Sequence, residues 1–404
     1  MKNTDILVSG AGIAGPALAY WLRRAGFSVT VVERAPAPRP GGQTVDLRGA
    51  GRDVITRMGL MEQARALSVE QRGIETVDAA GRVTSRMSAD AFGGEGIVSE
   101  IEILRGDLAG LLHEATLPGT EYLFDDTVTA LHQDADGVDV VFERAAPRRF
   151  GLVVGADGLH SVVRGLAFGP EAECVRPLDL CTAWFTAPEE TPLDGWFRMF
   201  NAPGGLVASV RPGRLPGETK AGLSFRTTGP VPCDRRDTAA QQDLVDRRFA
   251  GVGWQVPSLL RAMREASDFS FDTVGQVHLD GWSRGRVALL GDAGYCATPL
   301  SGLGTSLGLV GAYLLAGELA AARGDHRTAF AGYDRLMRPY VRKAQQLPPG
   351  GAAGFAPNSA LGIRLRAASM RSMNRWPMRP LLAAQFAKAG DIALPGYDAA
   401  PAAT

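Results

Sequence analysis

The fold is decided by one stretch near the start of the chain, residues 5–33, which reads DILVSGAGIAGPALAYWLRRAGFSVTVVE. Its first five residues form the short apolar run that is typical of a buried parallel strand. The glycines Gly10, Gly12 and Gly15 follow directly in the spacing GxGxxG, and an apolar helical pattern comes next. A second apolar run then ends on Glu33. This order of strand, glycine turn, helix, strand and acid predicts a Rossmann-type βαβ unit.

Each residue of the turn has a separate physical role in such a unit. Gly10 permits the tight turn, Gly12 lets the backbone approach a pyrophosphate, and Gly15 lets the helix pack closely on the strand. The start of the helix offers unpaired N–H groups and the positive end of its dipole to phosphates. Glu33 is placed to accept hydrogen bonds from ribose hydroxyls, and its charge disfavours a 2′-phosphate. The unit therefore predicts FAD or NAD, rather than NADP, as the bound dinucleotide.

Two later stretches repeat the pattern of a buried strand that ends in a glycine-rich turn. Residues 153–164 read VVGADGLHSVVR, and residues 287–293 read VALLGDA. The second is followed by TPLSGLGTS at 298–306 and by an apolar helical pattern over 307–319. A helix that opens in this way presents backbone N–H groups to an anion or to an electron-rich ring edge. Three such strand ends in one chain favour an extended cofactor that crosses a sheet.

With these motifs in order over residues 4–345, the chain resembles the class A flavin monooxygenases of the para-hydroxybenzoate hydroxylase fold. It is most similar to their tetracycline-inactivating branch. The resemblance implies an α/β protein with a Rossmann-type FAD-binding domain, a substrate domain built on an antiparallel β-sheet, and a C-terminal helix. It also implies that FAD contacts the residues at the matching motif positions, which are Gly10, Gly12, Ala14, Gly15, Glu33, Arg34, Arg48, Arg105, Asp157, Asp292, Pro299, Gly302, Leu303, Gly304 and Thr305.

The resemblance assigns roles to several of these residues. Arg48 ends the loop 41–48 that runs beside the flavin ring, and Arg105 is the helix-start arginine that contacts the cofactor. Asp157 serves the pyrophosphates of FAD and NAD(P)H, and Asp292 serves the ribityl or ribose portion of the cofactor. The loop 299–305 lies beside the reactive edge of the ring. No catalytic acid or base and no metal site is expected, because the five histidines are scattered.

The chain departs from the family pattern at three positions near the flavin. Tyr295 replaces a histidine that many members have two residues after GDA, Ser306 replaces an asparagine, and Gly311 replaces an aspartate. Cys296 stands close by and raises the alternatives of a covalent flavin link, a redox thiol or a small packed residue. We favour the small packed residue.

Between the second and third motifs the pattern changes to short runs with aromatic members. Turns rich in proline and glycine separate the runs 180–187, 196–200, 205–210 and 220–227, as in an antiparallel sheet, and a helical segment is expected at 238–266. The apolar side chains favour a bulky, flat, largely apolar substrate. Residues 347–354 are expected to form a loop, and residues 360–373 a terminal helix. We favour packing of this helix across the two domains over binding to a membrane or a partner.

These patterns divide the chain into three parts. We expect residues 1–75, 100–175 and 270–345 to form a discontinuous FAD-binding domain. We expect residues 76–99 and 176–269 to form the substrate-binding domain, and 346–404 to form a linker and a C-terminal helical segment.

Composition narrows the function further. Forty-three basic and forty-three acidic residues give a formal net charge of +0, without the basic excess that is typical of nucleic-acid binders. The four cysteines show no metal-like spacing, which favours a reduced, cytoplasmic protein. No signal peptide and no membrane-spanning segment is expected. We expect a monomer or a homodimer.

The resemblance implies a monooxygenase that uses NADPH or NADH, FAD and O2. It would insert one oxygen into a bulky aromatic or polyketide-like small molecule, in antibiotic biosynthesis or inactivation, through a flavin C4a-hydroperoxide. Two alternatives stay open at this point. One is a flavin-dependent reductase or dehydrogenase on the same fold that transfers no oxygen, and the other is a non-catalytic protein that sequesters flavin or another ligand.

Overall fold

The computed structural model describes residues 1–90, 99, 101–229, 231, 234–347, 350–372 and 390–397. Its two large β-sheets are joined by smaller sheets and flanked by helices. The strands are β1 (Asp5–Ser9), β2 (Ser28–Glu33), β3 (Thr44–Asp46), β4 (Gly73–Val77), β5 (Val83–Ser88), β6 (Glu102–Leu104), β7 (Thr120–Phe124), β8 (Val128–Gln133), β9 (Val138–Phe142), β10 (Arg148–Phe150), β11 (Leu152–Gly155), β12 (Val175–Pro188), β13 (Trp196–Ala202), β14 (Leu206–Pro212), β15 (Glu218–Arg226), β16 (Ser270–Val277), β17 (Ser283–Arg284) and β18 (Val287–Leu289). The α-helices are α1 (Ala14–Arg24), α2 (Gly49–Arg57), α3 (Met61–Ala66), α4 (Arg105–Glu114), α5 (Val162–Phe168), α6 (Glu171–Cys174), α7 (Thr238–Phe249), α8 (Val256–Glu265), α9 (Asp292–Tyr295), α10 (Gly304–Ala321), α11 (His326–Ala344), α12 (Gly351–Phe355) and α13 (Ala360–Ser372).

The first large sheet has six strands in the order β17-β18-β11-β1-β2-β7. All neighbours pair in parallel except β17 and β18, which pair antiparallel. The central strands consist almost entirely of buried aliphatic residues, because helices cover a parallel sheet on its faces. The carboxyl ends of β1, β11 and β18 are the three glycine-rich strand ends of the sequence, and parallel pairing brings them to one edge. The predicted Rossmann-type α/β architecture is confirmed.

The second large sheet has seven strands in the order β16-β12-β15-β14-β13-β4-β5. Its pairings are antiparallel apart from β13 with β4, which is parallel. The helical segment that the sequence predicted as one piece is divided into α7 and α8, because Gly251 adopts a φ of +75° between them. Both helices pack their apolar residues on one face of the sheet. The other face points to the cavity described below.

The seven-stranded sheet extends past the residues that the sequence-based division gave to the substrate domain. Strand β4 begins at Gly73, and β16 covers Ser270–Val277, so both lie in this sheet although 1–75 and 270–345 were expected in the FAD-binding part. Both strands therefore belong to the seven-stranded sheet, and they lie where the chain passes between the FAD-binding part and the substrate-binding part.

Helix α10 forms the core of the first part. Among the described residues it is the one helix long and apolar enough to cross a membrane, but 72% of its residues are buried inside the protein. It packs against α1, α2 and α11, so its apolar sequence is accounted for by the protein interior.

The C-terminal segment returns across both parts. Helix α13 packs on β5 and β13, and the stretch 347–354, expected to be a loop, ends in the short helix α12. Tyr397 packs against α10 at Gly317. Residues 373–389 and 398–404 of the expected helical segment lie outside the described residues.

Candidate cofactor and substrate site

A cavity of about 1060 Å³ lies between the two large sheets. At one end it is lined by the three glycine-rich turns, and at the other by the inner face of the seven-stranded sheet and by α13. The predicted cofactor residues line this cavity with the exception of Gly15. The cavity thus joins a polar, glycine-rich half to a largely apolar half.

The first glycine turn has the geometry that close approach to a ligand requires. Gly10 adopts a φ of +106°, and a Cβ there would lie 2.5 Å from the carbonyl oxygen of Ala156. A Cβ on Gly15 would overlap the carbonyl oxygen of Gly10, so Gly15 is required for packing inside the turn. A Cβ on Gly12 would meet nothing within 4 Å. Gly12 therefore leaves space that the fold itself does not use.

Ala14 joins the first turn to the third. Its Cβ lies 3.3 Å from the Cβ position of Gly291 and 3.4 Å from that of Gly308. A small residue is thus needed where α1, the GD turn and α10 meet. Ala14 also lines the cavity.

Glu33 is held in place by backbone groups. Its Oε2 accepts from the N–H of Ala11 at 2.8 Å, and its Oε1 accepts from the N–H of Ala35 at 2.9 Å. Each carboxylate oxygen retains a lone pair, and the side chain lines the cavity. The carboxylate is therefore oriented and able to accept hydroxyl donors.

Arginines surround this acidic residue. Arg39 lies 4.0 Å from Glu33, and the exposed Arg34 lines the same end of the cavity. Arg105 starts α4, and its guanidinium makes no hydrogen bond to any described residue. Burial lowers the pKa of Arg105, and the nearby charge of Arg39 adds to the effect while Glu33 opposes it. This cluster of positive charge is suited to a pyrophosphate.

Asp157 organises the second turn. It accepts hydrogen bonds from the hydroxyl of Ser161 at 2.5 Å and from the N–H of Val162 at 2.8 Å, so it caps the start of α5. Buried Arg164 donates to the carbonyl of Ala293 at 3.0 Å and thereby ties this turn to the third. Burial raises the pKa of Asp157 against these hydrogen bonds. Asp157 lines the cavity, but its carboxylate oxygens already accept hydrogen bonds from the start of α5.

Asp292 begins α9, just after the end of β18, and lines the cavity. Its side chain borders the open space of the cavity, and the protein encloses that space. Burial raises the pKa of this carboxyl, and a hydrogen bond with Cys296 opposes the rise. A carboxylate in such a place is an acceptor for hydroxyl groups of a ligand.

The start of α10 completes the polar half. Thr298 adopts a φ of +91°, which is strained for a residue other than glycine, and it begins the turn 299–301. The N–H groups of Gly304 and Thr305 make no hydrogen bond to any described residue, and both residues line the cavity. The helix N-terminus therefore presents free donors and a positive dipole end to the cavity.

A network of charged residues separates the two halves. Arg48 donates to Asp46 at 2.8 Å, and Arg211 donates to Glu102 at 2.9 Å. Burial raises the pKa of Glu102 to about 7 against the attraction of Arg211, and Asp46 adds to the rise through charge and a hydrogen bond. The protonation state of Glu102 therefore changes near neutral pH, beside the cavity.

The other half of the cavity is an apolar wall. It is formed by side chains from the second sheet, the third turn and the C-terminal segment, namely Ile74, Leu180, Phe197, Met199, Val274, Leu300, Phe355 and Met370. Several of these are buried in one cluster that joins the sheet to α12 and α13. This half is suited to a flat apolar molecule.

These features fit FAD. The oriented Glu33 suits the ribose, and the space at Gly12 with the arginine cluster suits the pyrophosphate. The open Asp292 suits the ribityl chain, and the free N–H groups of α10 suit the ring edge. Residues from three separate parts of the chain, within 10–14, 33–34 and 292–305, thus meet in one cavity.

Comparison with known proteins agrees with this geometry. The sequence profile of a family described as "FAD binding domain" matches residues 3–346. A flavin-dependent monooxygenase of Legionella longbeachae is 37% identical over 345 residues, which are 85% of this chain and 88% of the relative. The chain belongs to the FAD-dependent monooxygenases.

A solved structure and a further relative show which monooxygenases this chain resembles. The crystal structure of the tetracycline destructase Tet(55) has a TM-score of 0.82 and 35% identity, covering 98% of this chain and 100% of the other. An uncharacterized protein of Mycobacterium tuberculosis is 48% identical over 353 residues, which are 87% of this chain and 94% of the relative. The resemblance to the tetracycline-inactivating branch is thereby confirmed, and FAD is the cofactor of this monooxygenase.

Two of the departures from the family pattern explain each other in the monooxygenase. The buried Tyr295 donates or accepts a hydrogen bond with Tyr333 at 2.7 Å, and Tyr333 bonds the carbonyl of Leu289 at 3.2 Å. A Cβ on Gly311 would overlap the hydroxyl of Tyr295. The tyrosine therefore leaves no space for a side chain at position 311.

The other departures have local explanations. Ser306 donates to the carbonyl of Arg48 at 3.1 Å and so links α10 to the start of α2. Cys296 is buried, and its thiol bonds the carbonyl of Gly275 at 3.6 Å. Burial raises the pKa of this thiol well above its usual value, which disfavours the reactive thiolate. The interpretation of Cys296 as a small packed residue fits this environment.

Sequence reasoning missed several residues of the cavity. Asp46 lies in the loop 41–48 that the resemblance places beside the flavin ring, but no motif connects it with Glu102 and Arg211, which come from distant segments. Glu102 lies three residues before Arg105, in the short strand β6. An acidic residue within this otherwise apolar run was the signal that the sequence offered.

Proposed function

We propose that this FAD-dependent monooxygenase uses NADPH or NADH to insert one oxygen atom of O2 into a bulky, largely apolar aromatic or polyketide-like small molecule. The observation that carries the proposal is the single cavity, in which the polar half with the cofactor groups opens directly onto the apolar wall. Bound FAD supplies hydride acceptance from the nicotinamide and, once reduced, activation of O2 for oxygen transfer.

Different residues of the chain bind the parts of that cofactor, stabilise its charge and orient the substrate. Glu33 and Asp292 hold the hydroxyl groups of FAD, and Arg105 and the turn at Gly12 hold its pyrophosphate. The N-terminus of α10 stabilises negative charge at the edge of the ring. The apolar wall excludes water and orients the substrate.

The reductant is proposed to bind only transiently. The sequence has one GxGxxG unit, at Gly10, and we assign this unit to FAD. NAD(P)H would then reach the flavin from solvent without a Rossmann unit of its own.

Tetracycline and anhydrotetracycline are the first substrates to test, because Tet(55) is a tetracycline destructase and similar throughout its length. Polycyclic phenols form the second group. NADPH oxidation by the purified holoenzyme is followed in 18O2, and the products are weighed by mass spectrometry. We expect one compound to accelerate NADPH oxidation and to gain a single 18O atom.

Other results of this experiment would favour the alternatives. Flavin reduction and reoxidation that modify a ligand without 18O incorporation would favour a reductase. Tight ligand binding without faster NADPH oxidation would favour a sequestering protein. Rapid mixing of the reduced enzyme with O2 adds a second readout, since a transient absorbance before the oxidised flavin returns is expected only of the monooxygenase.

The residue assignments are tested separately by Glu33→Ala and Asp292→Ala. Each variant should lose FAD on gel filtration, because each removes an acceptor for hydroxyl groups of the cofactor. Glu114→Ala, an exposed carboxylate on α4, is the matched control. Full flavin occupancy in both site variants would contradict the assignment.

A further inference from the structure

Arg366 brings a positive charge into the apolar half of the cavity. It lies in α13 and lines the cavity together with Met370 of the same helix and Phe355 of α12. No motif of the sequence marks this residue, and the cofactor groups described above lie at the other sheet. Its role is not explained by FAD binding.

The hydrogen bonds of Arg366 are all to neutral acceptors. Nε donates to the carbonyl of Gly354 at 3.0 Å, and Nη1 donates to the side-chain oxygen of Asn201 at 3.2 Å. Nη2 lies 3.3 Å from the sulfur of Met199, which is a weak acceptor. A guanidinium has five N–H donors, so each terminal nitrogen keeps one N–H without a partner among the described residues.

The other basic side chains that line this half of the cavity or its border with the polar half have carboxylate partners. Arg48 pairs with Asp46, Arg211 with Glu102, and Lys343 with Asp391. Arg366 has no such partner among the described residues. Of these four basic residues, Arg366 is therefore the one without a carboxylate in ion-pairing distance among the described residues.

The surroundings make this charge costly. Met199, Phe355 and Met370 are apolar neighbours in the same cluster. Burial alone lowers the pKa of Arg366 to about 10. An uncompensated cation in such a place attracts an anion strongly, because little water is there to screen it.

We infer that Arg366 binds an anionic oxygen of the substrate, a carboxylate or an ionised enol, and so determines substrate specificity. The inference rests on the proposed function, since it gives the substrate an acidic group in addition to a flat apolar body. The two free N–H groups and the uncompensated charge select for the anion, while the apolar wall selects for the body. Arg366 acts in binding and takes no part in the chemical step.

The test measures binding to the oxidised holoenzyme without reductant, by the quenching of flavin fluorescence. The carboxylate probe is 3-hydroxy-2-naphthoate, and its neutral counterpart is 3-hydroxy-2-naphthamide. The enolate probe is 2-acetyl-1,3-indandione, with 1-indanone as its neutral counterpart. The variants are Arg366→Gln and Arg366→Lys, and Arg364→Gln is the matched control because Arg364 is exposed on the same helix.

We expect the wild-type enzyme to bind at least one anionic probe more tightly than its neutral counterpart. Arg366→Gln should weaken that anion by about 10- to 100-fold, the range for a hydrogen bond to a charged group, and the neutral probe by less than about 2-fold. Arg366→Lys should restore part of the loss, and Arg364→Gln should change neither probe. The probe that responds decides between carboxylate and enolate.

Several results would overturn the inference. One is equal binding of anionic and neutral probes by the wild-type enzyme, and another is an equal loss of both in Arg366→Gln, which indicates a structural role. Loss of FAD from Arg366→Gln would assign the arginine to the cofactor instead. Binding is measured without turnover, so this test and the 18O2 experiment are independent. A chain that transfers no oxygen can still discriminate the probes, and an active monooxygenase can fail to discriminate them.

Discussion

At the scale of single residues, Gly311 shows how a departure from a family pattern is compensated by a neighbour. A Cβ at this position would overlap the hydroxyl of Tyr295 and lie 2.9 Å from Leu290. We expect Gly311→Ala to lower the free energy of unfolding by about 1–3 kcal/mol, the usual cost of overpacking, although alanine favours helices. Denaturant unfolding measures the change. Gly110→Ala in α4, where nothing lies within 4 Å, is the control and should be neutral or stabilising. Equal stability changes in the two variants would contradict the explanation.

Glu102 gives a prediction for the dependence of stability on pH. Its pKa of about 7 in the folded chain lies above the ordinary value of 4.5, so the folded state binds more protons than the unfolded state between these values. The free energy of unfolding contributed by Glu102 therefore falls as pH rises through this window, by at most about 1.4 kcal/mol per unit. We expect Glu102→Gln to gain stability relative to the wild type between pH 5 and pH 7.5, measured by denaturant unfolding, with Glu114→Gln as the exposed control. A difference that stays constant with pH would show that Glu102 does not titrate there.

At the scale of elements, the glycines of the first turn separate folding from binding. Gly15→Ala should destabilise even the apoprotein, because its Cβ would overlap the carbonyl oxygen of Gly10. Gly12→Ala should leave apoprotein stability within about 0.5 kcal/mol, as for an ordinary uncrowded substitution, and weaken FAD binding at least about tenfold. Unfolding of the apoprotein and FAD titration measure the two effects. Normal FAD affinity in Gly12→Ala would mean that the cofactor does not approach this backbone.

Elements with a local pattern were predictable from the sequence. The strand at 5–9, the helix after Gly15 and the buried helix α10 follow from apolar periodicity and glycine punctuation. The four strands 180–227 were found for the same reason, although β12 begins earlier, at Val175. The parallel pairing of β4 with β13 was not predicted, because pairing between distant strands leaves no signal in either one.

At the scale of the whole molecule, the same distinction applies to the cavity. The polar half is built from motifs that carry their own backbone geometry, and the residues that the sequence named for it line the cavity apart from Gly15. The apolar half is closed by α12 and α13, which reach the sheet only through tertiary packing. The charge of Arg366 and the network of Arg211 with Glu102 therefore became visible only in three dimensions.

Because the cofactor groups come from distant parts of one chain, FAD should stabilise the molecule as a whole. A ligand that binds only the folded state adds about 1.4 kcal/mol for each tenfold rise in its free concentration above Kd. We expect the Tm of the apoprotein to rise steadily with the logarithm of FAD concentration. FMN should raise it far less at equal concentration, because it lacks the adenosine for which Glu33 is oriented. In Glu33→Ala the advantage of FAD over FMN should shrink. If FMN stabilised the wild type as strongly as FAD, the end of the cavity at Glu33 would not be a nucleotide site.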